Sequence, residues 1–188
     1  MSVKVFIVAG PSGVGKNHII REVLEKFSSL TILPTYTTRP AREDDKESKS
    51  RICVEEKDFL EMIRRGELLE WSQYCEFYYG KKKSDFDDAF AKRKKVITDI
   101  DVQGLHLYKD HFGSGLISIF VTYEDLKFLS DRIRKNRPDT SEEDIQNRLE
   151  RAKVEMLEKE KYDYCIVNIE GKPEIAVKKV IEIVEKYM

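Results

Sequence analysis

The chain has 188 residues, 40% of them hydrophobic, which suffices for a buried core and fits one domain with small inserts. Its 34 Lys and Arg against 35 Asp and Glu leave a net charge of −1, so nothing global favours nucleic acid or an anionic membrane, and any anion site must be local. Cys53, Cys75 and Cys165 have neither paired nor zinc-finger spacing, and the N-terminus reads as neither a signal peptide nor a spanning helix, so a reducing cytoplasm is the expected compartment.

The first element is VKVFIVAG, a β-branched apolar run that ends in a Gly-rich turn. HIIREVLEKF follows with helical periodicity, so the opening reads strand, loop, helix. From Leu33 to Ser84 the texture changes to a polar loop, a helix at DFLEMIRRGE and short aromatic segments ending in FYYG, which reads as an insert. Further apolar strands are expected at 96–100 (VITDI), 116–123 (LISIFVTY) and 164–169 (YCIVNI), separated or followed by helical patterns. Strands alternating with helices predict an α/β fold with a parallel central sheet. The polar, Arg-rich interval 132–144 contains Pro138 and a capping pattern from Thr140 to Glu143, predicting a loop, a helix start and a lid.

Between the first strand and helix lies GPSGVGKN, comprising Gly10, Pro11, Ser12, Gly13, Val14, Gly15, Lys16 and Asn17. This is the G-x-x-x-x-G-K phosphate loop in its required strand-to-helix setting. Its glycines let backbone N–H groups turn inward at a positive helix end, and Lys16 can reach the outer phosphates. The pattern calls for Ser or Thr after the lysine, whose hydroxyl helps hold Mg²⁺; here Asn17 stands instead, and its amide oxygen is an acceptable neutral ligand. Arg39 and Arg42, either side of Pro40, offer two guanidinium forks suited to clamping a phosphate. Asp99 and Asp101 flank Ile100 at a strand end, where alternation puts both carboxylates on one face and where open α/β sheets bind ligands. Asp101 is equally placed to cap VQGLHLYKDHF.

Behind the phosphate loop come TYTTRPAR (35–42), GELLEW (66–71), YYG (78–80) and DIDVQG (99–104), in the order and approximate spacing of guanylate kinases. From about residue 3 onward the chain resembles that family. The resemblance implies a three-layer P-loop NTPase fold: a core of 1–33, 84–129 and 148–188, a nucleoside-monophosphate-binding insert at 34–83 and a lid at 130–147. It implies transfer of the ATP γ-phosphate to GMP or dGMP with Mg²⁺, small nucleotides as the only partners, and a monomer or homodimer. By the same resemblance Arg39, Arg42 and Tyr79 hold the acceptor phosphate, and Glu70 accepts hydrogen bonds from guanine N1–H and N2–H₂. Asp101 and Thr35 are further acceptor contacts, Asp99 orients a metal-bound water, and Lys16, Arg137 and Arg148 stabilise the transferring phosphoryl group.

Beyond Asn17 there are further departures from the family pattern. Arg51 stands where a phosphate-contacting tyrosine is usual, and Lys81 where a Ser or Thr donates to guanine O6. Both keep a donor, yet both leave room for other readings: a kinase with a shifted acceptor, like the ribose 1,5-bisphosphate phosphokinases, or a non-catalytic guanylate-kinase-like binding module. Trp71 and Tyr78 read as packing, Arg132, Arg134 and Lys135 as a solvated face, and the cysteines as small apolar fillers or incidental thiols.

Overall fold

The computed structural model describes residues 4–41, 51–74, 76–136 and 141–188. Arg42, Cys75, Arg137 and Thr140, named above, lie outside the described residues.

The apolar run of the first strand, β1 (Val5–Ala9), is buried throughout, as expected of a strand covered on both faces. Two inner neighbours pair with it in parallel: β7 (Lys95–Asp99) on one side and β8 (Leu116–Tyr123) on the other. Adding β2 (Leu30–Thr31) and β9 (Tyr164–Asn168) at the edges gives a five-stranded sheet in the order β2-β7-β1-β8-β9. Alternation along β1 sorts the core into two sides. Phe6 and Val8 pack with Ile19 and Val23 of α1 (Lys16–Lys26) and with Ala176, Val180 and Val184 of α7 (Pro173–Tyr187). Val5 and Ile7 pack with Phe86 and Ala89 of α3 (Lys83–Ala91) and with Leu105 and Tyr108 of α4 (Leu105–Phe112). The result is three layers, helix, sheet and helix.

Between β2 and α3 a second sheet forms from β3 (Thr35–Thr37), β4 (Arg51–Cys53), β5 (Leu68–Tyr74) and β6 (Phe77–Lys82), ordered β4-β3-β6-β5. Its own small core of Phe59, Met62 and Leu68 sits under α2 (Glu56–Arg64), which realises the amphipathic DFLEMIRR pattern. Tyr78 stacks on Phe59 with ring centroids 5.5 Å apart, and Trp71 packs at a tilt beside Tyr78, centroids 6.1 Å apart, while staying half exposed.

A helix pair, α5 (Leu126–Asn136) and α6 (Glu142–Met156), rises from the end of β8 and buries Leu129 and Ile133 against Ile145, Leu149 and Ala152. The cap of α6 is Ser141, whose Oγ accepts from Asp144 N–H at 3.1 Å, one residue later than the Thr140 pattern suggested. Helix α1 begins at Lys16, two residues before the periodic segment, because the phosphate loop runs directly into it. Cys53 and Cys165 are exposed and fill no core.

The chain leaves β1 through Gly10, at φ 135°, with Gly13 and Gly15 also at positive φ. A Cβ on Gly10 would lie 2.0 Å from the carbonyl oxygen of Val121 in β8. We expect Gly10→Ala to cost more than about 2 kcal/mol, since both the backbone region and the space are denied to a side chain. Urea denaturation, comparing midpoints at unchanged slope, measures this.

Candidate active site

One cavity of about 550 Å³ runs from the phosphate loop to the second sheet. Its walls carry seven cationic side chains, Lys16, Arg39, Arg51, Lys81, Arg132, Arg148 and Arg151, and four carboxyls, Glu70, Asp99, Asp101 and Glu155. A chain of net charge −1 thus concentrates positive charge where a polyanion would sit.

At the loop end, Lys16 Nζ donates to the loop's own carbonyls, Gly10 O at 2.5 Å and Pro11 O at 3.2 Å. The lysine therefore lies back across the concavity of its own loop. Asn168, wholly buried at the end of β9, donates to Val14 O at 2.7 Å and fixes the loop from beneath. Arg148 Nη1 donates to Ser12 Oγ at 3.1 Å from above. Arg132, expected to be solvated, instead lines the cavity, its guanidinium 5.6 Å from the Phe128 ring centroid and close over Gly15. Arg134 does behave as a solvated residue, pairing with Glu142 at 2.9 Å on the outside of the helix pair. Asn17 is exposed and lines the cavity beside Lys16.

The second sheet supplies the opposite wall. Thr35 and Arg51 are register partners on β3 and β4, and Glu70 and Lys81 are partners on β5 and β6. Tyr79 lines the cavity next to Lys81, and Arg39, nearly buried, is anchored by its N–H to Thr37 Oγ1 at 3.1 Å and its Nη1 to Pro40 O at 3.1 Å. Lys81 is 2% exposed; its Nζ donates to Thr35 Oγ1 at 2.9 Å and lies 3.8 Å from Asp99 Oδ1.

Two carboxyls in this wall are driven in opposite directions. Burial pushes Glu70 up to about 8, against the pull of Lys81 and of the Tyr108 hydroxyl, which donates to Oε1 at 3.1 Å. Gly104 abuts the other oxygen so closely that a Cβ there would fall 2.3 Å from Oε2. Burial would raise Asp99 as well, but Lys81, then Lys16 and Arg51, outweigh it and hold that carboxyl below the usual value. Its side chain is 32% exposed, and the Lys16 and Arg51 it answers to line the same cavity. Asp101 caps the short turn Val102–Gly104 through Gln103 N–H at 3.1 Å, as its spacing allowed, and also accepts from Arg151 Nη2 at 2.5 Å.

Asn168, Tyr108, Arg151 and Glu155 were not anticipated. For Asn168 and Tyr108 the sequence offers an ordinary strand end and a helix face. For Arg151 a signal existed: it lies three residues after Arg148, on the same helical face.

A parallel sheet with a phosphate loop at the C-terminal end of its middle strand, an accessory sheet and arginine-bearing helices around one cavity define a P-loop kinase. The guanylate kinase family profile matches residues 2–187. The guanylate kinase of Thermotoga maritima is 36% identical over 98% of this chain and 87% of its own, and that of Prochlorococcus marinus strain MIT 9312 is 36% identical over 88% and 89%. The crystal structure of guanylate kinase from Anaplasma phagocytophilum superposes with a TM-score of 0.76 over 100% of this chain and 87% of that one, at 24% identity. A shikimate kinase from Acinetobacter baumannii shares the fold more distantly, with a TM-score of 0.52 at 15% identity over 98% of this chain and 94% of that one. The chain belongs to the guanylate kinase family and is an ATP-dependent nucleoside monophosphate kinase.

Glu70 binds its proton more tightly folded than unfolded, so the fold is favoured while the carboxyl is protonated and loses stability as pH climbs from 4.5 toward about 8. Glu70→Gln removes that titration. In the ligand-free protein we expect the variant's advantage over the parent to grow across this interval and to level off above pH 8. Denaturation at a series of pH values tests it; parallel curves for the two proteins would contradict the assignment.

Proposed function

We propose that the acceptor is GMP or dGMP, phosphorylated by ATP to the diphosphate, with the base held against the second sheet and the phosphates between Arg39 and the phosphate loop. The observation that carries this reading is that the Lys16 loop and the Glu70–Lys81 wall line one continuous cavity. Two nucleotides meeting end to end need that arrangement.

Lys16, with the inward N–H groups of residues 10 to 16, takes the β- and γ-phosphates of ATP. Arg39, Arg42, Arg51 and Tyr79 take the acceptor phosphate. Glu70, Asp101, Thr35 and Lys81 read the base. Guanine offers N1–H and N2–H₂ donors to a carboxylate and O6 to an ammonium or hydroxyl; adenine presents the opposite pattern at positions 1 and 6 and would leave buried groups unpaired. Because Glu70 is protonated near neutrality in the free protein, GMP binding takes up the ionised form and releases a proton. Arg148 on α6, together with Arg137, neutralises charge on the transferring phosphoryl group, where catalysis is mostly positioning and electrostatics.

Mg²⁺ belongs to this chemistry, and when bound it neutralises charge on the phosphates. Among the described residues no cluster of three His, Cys, Asp or Glu could hold an ion. Mg²⁺ in kinases needs few protein ligands, since phosphates and water supply the rest. The Asn17 amide oxygen and the Asp99 carboxylate, kept ionised by Lys81, Lys16 and Arg51, fit that small donor set, Asp99 through water. No helix among the described residues is long and apolar enough to cross a membrane, and we assign the enzyme to the cytoplasm.

The test is ADP release with ATP and Mg²⁺, offering GMP, dGMP, AMP, UMP and ribose 1,5-bisphosphate separately. Turnover is expected with GMP and dGMP, at least about 10³-fold above AMP in kcat/KM. Comparable turnover of AMP, UMP or the sugar bisphosphate overturns the acceptor reading. Lys16→Met should lower kcat on the order of 10²- to 10³-fold. Asn17→Ser raises Mg²⁺-dependent turnover if the amide is a poor ligand; an unchanged or lower rate shows a site adapted to Asn17.

A further inference from the structure

Helix α6 touches both ends of the cavity within one turn. Arg148 donates to Ser12 Oγ of the phosphate loop at 3.1 Å. Three residues on, Arg151 donates through Nη2 to Asp101 Oδ2 at 2.5 Å and through Nε to Glu155 Oε1 at 2.8 Å. Residues at this spacing lie on one helical face, so the two arginines move as a unit with the helix. Asp101 is itself fixed by the Gln103 N–H, at the end of the strand that also carries Asp99. Ile145, Leu149 and Ala152 of the helix pack on Leu129 and Ile133 of α5, both of which a side chain on Gly13 would meet, so α6 and the phosphate loop share an apolar contact through α5.

We propose that Arg151 is a positioning residue that couples the acceptor end of the site to the donor end. By holding Asp101 it sets the height of α6 over the cavity, and with it the approach of Arg148 to the phosphate loop. This inference rests on the reading of Asp101 as an acceptor contact. A carboxylate has about four lone-pair sites, of which Gln103 and Arg151 take two, so a base N–H can join without displacing the guanidinium. An acceptor that bonds Asp101 therefore steadies the Asp101–Arg151 pair and, through α6, the Arg148 contact. Donor nucleotide should then bind more tightly, and by linkage the effect must be reciprocal.

The experiment is calorimetric titration of the full chain with the β,γ-imido analogue of ATP and Mg²⁺, without and with saturating GMP. In the parent protein GMP is expected to tighten analogue binding about five- to twentyfold. Arg151→Ala should reduce that tightening to less than twofold, Arg151→Gln, which keeps bulk without charge, should do the same, and Arg151→Lys should retain most of it. Asp101→Asn combined with Arg151→Ala should add nothing to the loss of coupling. Tightening that persists in Arg151→Ala or Arg151→Gln overturns the proposal, as does an equal loss of analogue affinity with and without GMP, the mark of a merely structural role. A parent protein that turns over GMP without coupling refutes this inference alone; one that neither binds nor phosphorylates GMP removes the acceptor reading as well.

Discussion

The turn from β1 into α1 is the constraint on which the site depends. Gly10 passes so close to Val121 O that no side chain fits, and this closeness ties the phosphate loop to the middle of the parallel sheet. The loop is therefore held by the most buried strand of the protein, and the N–H groups of α1 face one fixed point. Asn168 fixes the loop from the edge strand, and Ile133 and Leu129 of the helix pair rest on Gly13. Each contact limits where an anion can sit.

Facing the phosphate loop stands a wall whose two carboxyls are shifted in opposite directions. Glu70 and Asp99 both feel Lys81, yet burial dominates one and neighbouring cations the other. The difference follows from position. Asp99 lies at the strand end, within reach of Lys16, Lys81 and Arg51, whereas Glu70 is enclosed by Tyr108 and Gly104. One carboxyl is held in its charged form by neighbouring cations, and burial lets the other keep its proton up to about pH 8.

The departures at Asn17, Arg51 and Lys81 acquire a common sense in three dimensions. All three line the cavity, and Lys81 is bonded to Thr35 and set beside Asp99, so its ammonium is part of the wall. An ammonium buried to this degree is sustained by a polar network, here the Thr35 hydroxyl and the Asp99 carboxylate. Arg51 and Lys81 add positive charge to the second-sheet wall that carries Glu70, whereas Asn17 adds a neutral amide beside Lys16.

Much of this was legible in the sequence because it is local. The β1 run, the helix after it and the strand LISIFVTY follow from apolar periodicity over a few residues, and the phosphate loop is a contiguous motif whose glycines answer to the backbone alone. The fold's layering also follows, since alternating strands and helices have few ways to bury both faces of a parallel sheet. What the sequence could not decide is which distant side chains meet. Arg132 and Arg134 are nearly adjacent in the same charged run, yet one lies over the phosphate loop and the other pairs with Glu142 outside, because the rotation of α5 against the loop sets their directions. Asn168 under Val14, Tyr108 on Glu70 and Arg151 on Asp101 span 154, 38 and 50 residues, distances at which no local pattern carries information. The sequence determined the phosphate loop and its strand and helix, which depend on near neighbours; the charge states of the carboxyls and the link through α6 depend on burial and on contacts made only when the chain is packed.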